Sequence, residues 1–158
     1  MATFTYPAHD GHAALRKGRM AMARHIYHVT VATNARRCVF AGFDAACAAS
    51  RAFETRTFQG DAILLAWVLM PDHAHWLLQL GERDSLSTVV SRLKSASARH
   101  ANLALDNSGR IWGRAFHDRA MRTEEAVLET ARYIVANPVR AGLVKRVGDY
   151  PFWNTIWL

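Results

Sequence analysis

Two cysteines, Cys38 and Cys47, are all that the 158 residues contain, and they form no CxxC pair. Nothing around them suggests a disulfide framework or a thiolate metal site, and a reducing, cytosolic compartment is expected. Long hydrophobic runs are missing as well. The longest, Ala62 to Met70, is far too short to span a bilayer, and the first residues carry no charged segment followed by an apolar one, so neither membrane nor secretory targeting is expected. No GxxxxGK[ST] loop, GxSxG elbow or HExxH helix occurs, which removes the commoner nucleotide, acyl-transfer and zincin chemistries. Internal repeats and low-complexity stretches are absent.

What is present is apolar content and positive charge. Hydrophobic residues make up 51% of the chain, enough for a real core at this length, so a single domain over residues 1–158 is expected. The formal net charge is +7, with Arg16, Lys17, Arg19 and Arg24 near one end and Arg132, Arg140, Lys145 and Arg146 near the other. Such a balance favours a polyanionic partner, although charge alone fits a solvated basic surface equally well. Residues 1 to 24 show no periodicity, carry His9 and His12, and read as a basic arm that orders on nucleic acid.

Alternation and β-branched content predict a first strand over Ile26 to Thr33, followed by a basic turn at Asn34 to Arg37. An alanine-rich segment from Phe43 to about Thr55 has helical spacing. AILLAWVLM and HAHWLLQL, separated only by Pro71 and Asp72, predict an antiparallel hairpin. Asp84 or Ser85 caps a second helix with Leu86, Val89, Val90 and Leu93 on one face, ended by the turn from Asp106 to Gly109. A short strand is expected within Trp112 to Arg122. A third helix opens at Thr123 with Glu124 and Glu125 and runs to about Ala136, where Pro138 should stop it. The order β, α, β, β, α, β, α contains the split βαβ pattern of an α+β, ferredoxin-like antiparallel sheet with helices on one side and a trailing helix.

On a strand, His73 and His75 share a face with Cα atoms about 7 Å apart, so both imidazoles can reach one cation. Eight histidines in this chain give about 0.4 HxH pairs by chance, so spacing alone is weak. Context strengthens it, because the pair starts a strand after a tight turn while Trp76, Leu78 and Leu80 point to the opposite, core-facing side. On the last helix Val127, Leu128, Ala131, Ile134 and Val135 form one stripe, and Tyr133 falls nearly opposite. A surface tyrosine lying across a groove fits that position; so does a nucleophile. Asn137, four residues on, brings an oxygen ligand to the same helix side, and equally fits a helix C-cap. An ordinary phenol with pKa about 10 is less than one per cent ionised at neutral pH, so phosphodiester transfer by tyrosine calls for a metal that polarises the phosphate. The resulting phosphotyrosine retains the energy of the cleaved linkage, so strands can be rejoined without ATP.

Four blocks, HVTVATNARRCVF (His28 to Phe40), WVLMPDHAHWLL (Trp67 to Leu78), GRIWGRAFHDRAMR (Gly109 to Arg122) and YIVANPVRAGLV (Tyr133 to Val144), resemble in order the REP-associated tyrosine transposases, relatives of the single-tyrosine insertion-sequence transposases with the His-hydrophobic-His motif. The resemblance covers most of the chain. It implies that Tyr133 is the nucleophile forming a 5′-phosphotyrosine link, that His73, His75 and Asn137 hold the metal, and that this ion is Mg2+ or Mn2+. Two imidazoles suit zinc by softness too, so the ion's identity comes from the family. Ala74 is smaller than the bulky residue usual between the two histidines.

The implied substrate is single-stranded DNA folded into imperfect hairpins of repetitive extragenic palindromes, in the bacterial cytoplasm at the nucleoid. Arg36, Arg37, Lys94, Arg99, Arg114 and Arg119 are candidates to contact it, each equally compatible with ordinary surface charge. Trp112 and Phe116 are candidates for base stacking or for the core. Two rivals stand beside this enzyme: a module that binds hairpins without cutting them, and a metal phosphodiesterase acting on small nucleotides. Monomer and helix-exchanged homodimer both satisfy the apolar stripe opposite Tyr133.

Overall fold

The computed structural model describes residues 24–158. The basic arm expected over residues 1 to 24 lies outside them, apart from Arg24, whose guanidinium pairs with Glu82 at 2.8 Å. In chain order the elements are β1 (Ile26–Ala32), α1 (Phe43–Glu54), the one-turn α2 (Arg56–Gln59), β2 (Ile63–Leu69), β3 (His73–Gln79), α3 (Leu86–Ala104), β4 (His117–Ala120), α4 (Glu124–Arg140) and β5 (Trp153–Thr155). The strands pair antiparallel in the order β4-β1-β3-β2-β5, so the first four keep the ferredoxin-like arrangement that the element pattern predicts.

Period-two alternation gives the sheet two buried faces. Val29, Val31, Trp67, Leu69, Trp76 and Leu78 face α1 and α3, whose Ala45, Ala49, Phe53, Val89 and Leu93 complete that core. Phe53 stands edge-on against Trp67 and Trp76 with centroids 5.4 and 5.1 Å apart, and its truncation to alanine would cost about 3–5 kcal/mol. The other face carries Ile26, Leu65, Val68 and Leu77, covered by Val127, Ala131 and Ile134 of α4. The trailing helix thus lies on the face opposite α1 and α3, where it reaches the histidines of β3.

Local chemistry fixes the ends. Ser85 Oγ accepts from Thr88 N–H at 3.1 Å and caps α3; Thr123 Oγ1 accepts from Ala126 N–H at 3.1 Å and caps α4. The hairpin closes through Met70 N–H to His73 O at 2.8 Å. Two expectations require correction. Pro138 does not stop α4, which continues to Arg140. A proline in the last turn removes a single N–H and costs little where the surrounding carbonyls are served, as here by Ala141 N–H to Asn137 O and Leu143 N–H to Pro138 O, both 2.9 Å. Asn137 is consequently an interior helical residue and not a C-cap. A fifth strand, unanticipated, pairs Trp153–Thr155 with Val68–Ala66 and covers the edge of β2. Among the described residues no helix is long and apolar enough to cross a membrane.

Candidate functional site

The face of β1 toward α4 carries His28 and Thr30, both partly buried, between the fully buried Tyr27, Val29 and Val31 of the other face. Register then decides their neighbours. Thr30 pairs with His75 on β3 and with His117 on β4, and His28 pairs with Leu77 and Arg119. A row of polar side chains therefore runs across three strands beneath α4.

His73 and His75 occupy alternate positions of β3, and their ring centroids are 5.0 Å apart. Each has its Nδ1 engaged. His73 Nδ1 meets Asp72 Oδ1 at 2.7 Å, and the other oxygen of that carboxylate forms an ion pair with Arg36 Nε at 3.2 Å. His75 Nδ1 lies 3.0 Å from His28 Nε2 and 3.1 Å from Thr30 Oγ1. For Nε2 of His75 to offer its lone pair to a ligand, Nδ1 must carry the proton, and both neighbours can accept it. The Nδ1 atoms are oriented by protein, which leaves the Nε2 atoms for a ligand.

Above these rings lies Tyr133 of α4. Its ring centroid is 6.0 Å from that of His75 and 6.2 Å from that of His28, edge-on to both. The side chain is 44% exposed, and the Arg140 guanidinium sits 3.9 Å from its centroid on a cation–π contact. The phenol and the His75 imidazole come together within one chain, with no exchange of the helix.

Burial first, and then the Arg119 guanidinium, push the His28 imidazole down to about 4. Burial likewise, followed by His28, His73 and Arg140, pushes His75 down to about 3. Both rings are neutral at physiological pH, the form in which imidazole binds a metal. Asn137 is 8% exposed, and its carboxamide makes no hydrogen bond within the described residues. Two imidazoles with oriented Nδ1 atoms and an uncommitted amide fit a divalent ion bound at an open, incompletely filled coordination sphere, as catalytic ions require. Among the described residues no group of three or more His, Cys, Asp or Glu side chains is arranged as a metal cage.

Comparison with known proteins bears on the same segments. The profile of the family described as "Transposase IS200 like" matches residues 21–137, which include β1 to β4, the histidine pair, Tyr133 and Asn137. The chain belongs to the IS200-like transposase family. A REP-associated tyrosine transposase of Escherichia coli (strain K12) is 34% identical over 89 residues, 55% of this chain and 50% of that protein. A relative from Haemophilus influenzae is 30% identical over 98 residues, 56% of each chain. The chain thus spans about half the length of the curated relatives it matches. A solved REP-associated tyrosine transposase bound to a REP hairpin superposes with a TM-score of 0.67 at 25% identity, covering 87% of this chain and 81% of that one. The resemblance read from the four sequence blocks is borne out.

In this IS200-like transposase the basic candidates take different places. Arg36 is held by Asp72. Arg37 donates to Asn34 O and Arg110 O at 3.3 and 2.7 Å. Lys94 donates to Gly113 O at 2.6 Å and Arg114 O at 3.3 Å, tying α3 to the loop before β4; burial lowers its pKa, with Arg110 adding to the effect. Arg99 lies over the Phe58 ring at 5.9 Å. Arg114 and Arg119 are exposed, and only Arg119 lies beside the histidines. Trp112 is buried, with its Nε1–H donating to Ser97 Oγ at 2.9 Å, and Phe116 packs against the core. Sequence reasoning missed His28 and Arg140. The alternation that put His28 on the less buried face of β1 was a usable signal for the first.

Proposed function

We propose that the chain is a metal-dependent endonuclease and strand transferase for single-stranded hairpin DNA, with Tyr133 as nucleophile. The observation that supports this most is the edge-on placement of the Tyr133 ring within about 6 Å of both His75 and His28, on a chain of net charge +7 whose solved relative was captured on a REP hairpin. His73, His75 and Asn137 would hold Mg2+ or Mn2+, which polarises the scissile phosphate when bound. The chain's own residues supply the rest.

Tyr133 Oη attacks the phosphorus and its proton passes to solvent. The bond from phosphorus to the 3′-oxygen breaks, the departing oxygen takes up a proton from solvent, and a 5′-phosphotyrosine and a strand ending in a 3′-hydroxyl remain. The reverse attack by a 3′-hydroxyl restores a phosphodiester and frees the phenol. Arg140 places positive charge beside the ring, where negative charge grows during cleavage and returns during rejoining. His28 and Thr30 keep His75 in the tautomer that presents Nε2, and Asp72 does the same for His73.

Incubation of hairpin DNA with the protein and Mn2+ tests the reading. It predicts a covalent adduct, resistant to denaturant, that is absent in Tyr133→Phe. Binding without an adduct would instead support a catalytically silent hairpin-binding module, and equal phosphodiesterase activity in wild type and Tyr133→Phe would overturn the tyrosine mechanism.

A further inference from the structure

His28 stands on β1 between β3 and β4. Its Nε2 lies 3.0 Å from His75 Nδ1 on the β3 side, and the two nitrogens of an imidazole point to nearly opposite sides of the ring, so its Nδ1 is turned away from β3, toward β4. Register sets Arg119 of β4 beside His28 and His117 beside Thr30, on the sheet face beneath α4. There a groove of about 540 Å³ opens between β4 and α4, with His28, His117 and Arg119 on its sheet wall and Glu129 and Tyr133 on its helix wall. Asp118, paired with Val29, turns its carboxylate to the other face of the sheet.

The sheet wall is rich in donors and poor in acceptors. When Nε2 of His28 accepts from His75 Nδ1–H, the one proton of the neutral His28 ring sits on Nδ1, which no hydrogen bond engages among the described residues. The Arg119 guanidinium, which has donors only, and the His117 ring likewise make no hydrogen bond or ion pair among the described residues. Donors along one wall call for a ligand made of acceptors, and a phosphodiester beside Tyr133 is such a ligand. Glu129, on the opposite wall, repels phosphate and confines the strand to the sheet side.

The proton shared by the two rings has two places. On His75 Nδ1 it leaves His75 Nε2 with a free lone pair for a metal; on His28 Nε2 it forces the His75 proton onto Nε2 and blocks that atom. An acceptor at His28 Nδ1 favours the first arrangement, because only then does Nδ1 carry a proton to donate.

We propose that the groove is a phosphate subsite in which His28 Nδ1–H, His117 and Arg119 hold the linkage next to the scissile one, and that a phosphate bound there fixes His75 in its metal-binding tautomer. The inference rests on the proposed function, which puts the scissile phosphate at Tyr133 and the ion at His75. DNA in the groove and metal at His75 then strengthen each other's binding by the same factor, since such coupling is reciprocal. His28 is the positioning residue through which the two sites communicate.

Hairpin oligonucleotides carrying one uncharged methylphosphonate at a time, at each linkage flanking the cleavage position, test this. Equilibrium binding is read with chelator and with Mn2+ on Tyr133→Phe, which leaves the DNA intact. Neutralising one linkage beside the scissile one should weaken binding about ten-fold or more, and adding Arg119→Gln should remove most of that sensitivity, as expected of a direct pair. The same methylphosphonate should lower the Mn2+ affinity of the complex about five-fold or more. His28→Ala should erase this second effect, whereas a Coulomb effect of the lost charge would persist there; hairpin binding by the variant shows that it is folded. Equal sensitivity with Arg119→Gln, or no sensitive linkage, overturns the subsite even where adducts form. An Mn2+ effect that is absent, or that survives in His28→Ala, overturns the coupling. An Arg119-dependent linkage with no covalent adduct in the wild-type chain supports the subsite and overturns the transferase reading instead. Failure to bind any hairpin overturns both.

Discussion

His28 Nε2 lies 3.0 Å from His75 Nδ1, joining β1 to β3 across 47 positions of sequence. This contact makes His28, alongside Thr30, a residue that orients a candidate metal ligand, although it would not touch the metal itself. His28→Ala should lower Mn2+ affinity by about ten-fold or more, in keeping with losses of 10–100-fold at such orienting positions. His28→Gln, whose amide oxygen can accept from Nδ1–H, should recover part of it. Calorimetric titration with Mn2+ reads this without reference to activity. Unchanged affinity in both variants would remove His28 from the site.

The depressed pKa values carry a prediction for stability. His28 and His75 sit at about 4 and about 3 in the folded chain, against 6.5 for an ordinary histidine. Between about pH 6.5 and pH 4 the unfolded chain therefore binds protons that the folded chain does not, and stability falls as pH falls. Above pH 6.5 both states hold these rings neutral, and their contribution is flat. Urea midpoints in the presence of chelator should decline from pH 7 to pH 4.5, with a shallower decline in His28→Gln. Identical declines would show that other groups govern the acid response.

Asp72 stands between two partners, the imidazole of His73 and the guanidinium of Arg36. Arg36 reaches it from a turn in which Ala35 and Arg36 both have left-handed backbone, φ 56° and 54°. Two such non-glycine residues cost about 1–3 kcal/mol each, and the ion pair helps to retain them. Asp72→Ala should weaken Mn2+ binding by loosening His73, while Arg36→Ala should weaken it less and lower thermal stability only modestly. If Asp72→Ala binds the ion normally, His73 is positioned by its strand alone.

Lys94 and Arg114, grouped by charge in the sequence, separate by geometry. The Lys94 ammonium donates to the carbonyls of Gly113 and Arg114, a charge-assisted contact at a partly exposed position. Lys94→Met should cost about 1–2 kcal/mol of stability and leave the salt dependence of hairpin binding unchanged. Arg114→Ala should leave stability unchanged and reduce that slope by about one unit. The opposite pattern would make Lys94 the phosphate contact.

The strands and helices that carry the site were legible because their signals are local. Alternation marks β1, two apolar segments split by Pro71 and Asp72 mark β2 and β3, Ser85 and Thr123 mark two helix starts, and the order of elements suffices for the ferredoxin-like sheet. Three features depended on contacts that sequence does not display. β5 is a three-residue strand, recognisable only because β2 offers it an edge. Pro138 lies in a last turn whose carbonyls find other donors, so its usual stop signal fails. His28 acquires meaning only through the register that sets Thr30 against His75, since nothing near it in sequence is a partner. Tyr133 and the histidine pair stood out through helical projection and strand spacing, but their mutual approach follows from the side of the sheet that α4 covers.

Mass spectrometry of the protease-digested covalent adduct tests the central claim most directly. The account predicts one modified peptide, bearing a nucleotide joined through its 5′-phosphate to Tyr133, while the released strand ends in a 3′-hydroxyl that a polymerase can extend. Attachment to any other residue, or a link through a 3′-phosphate, would contradict it.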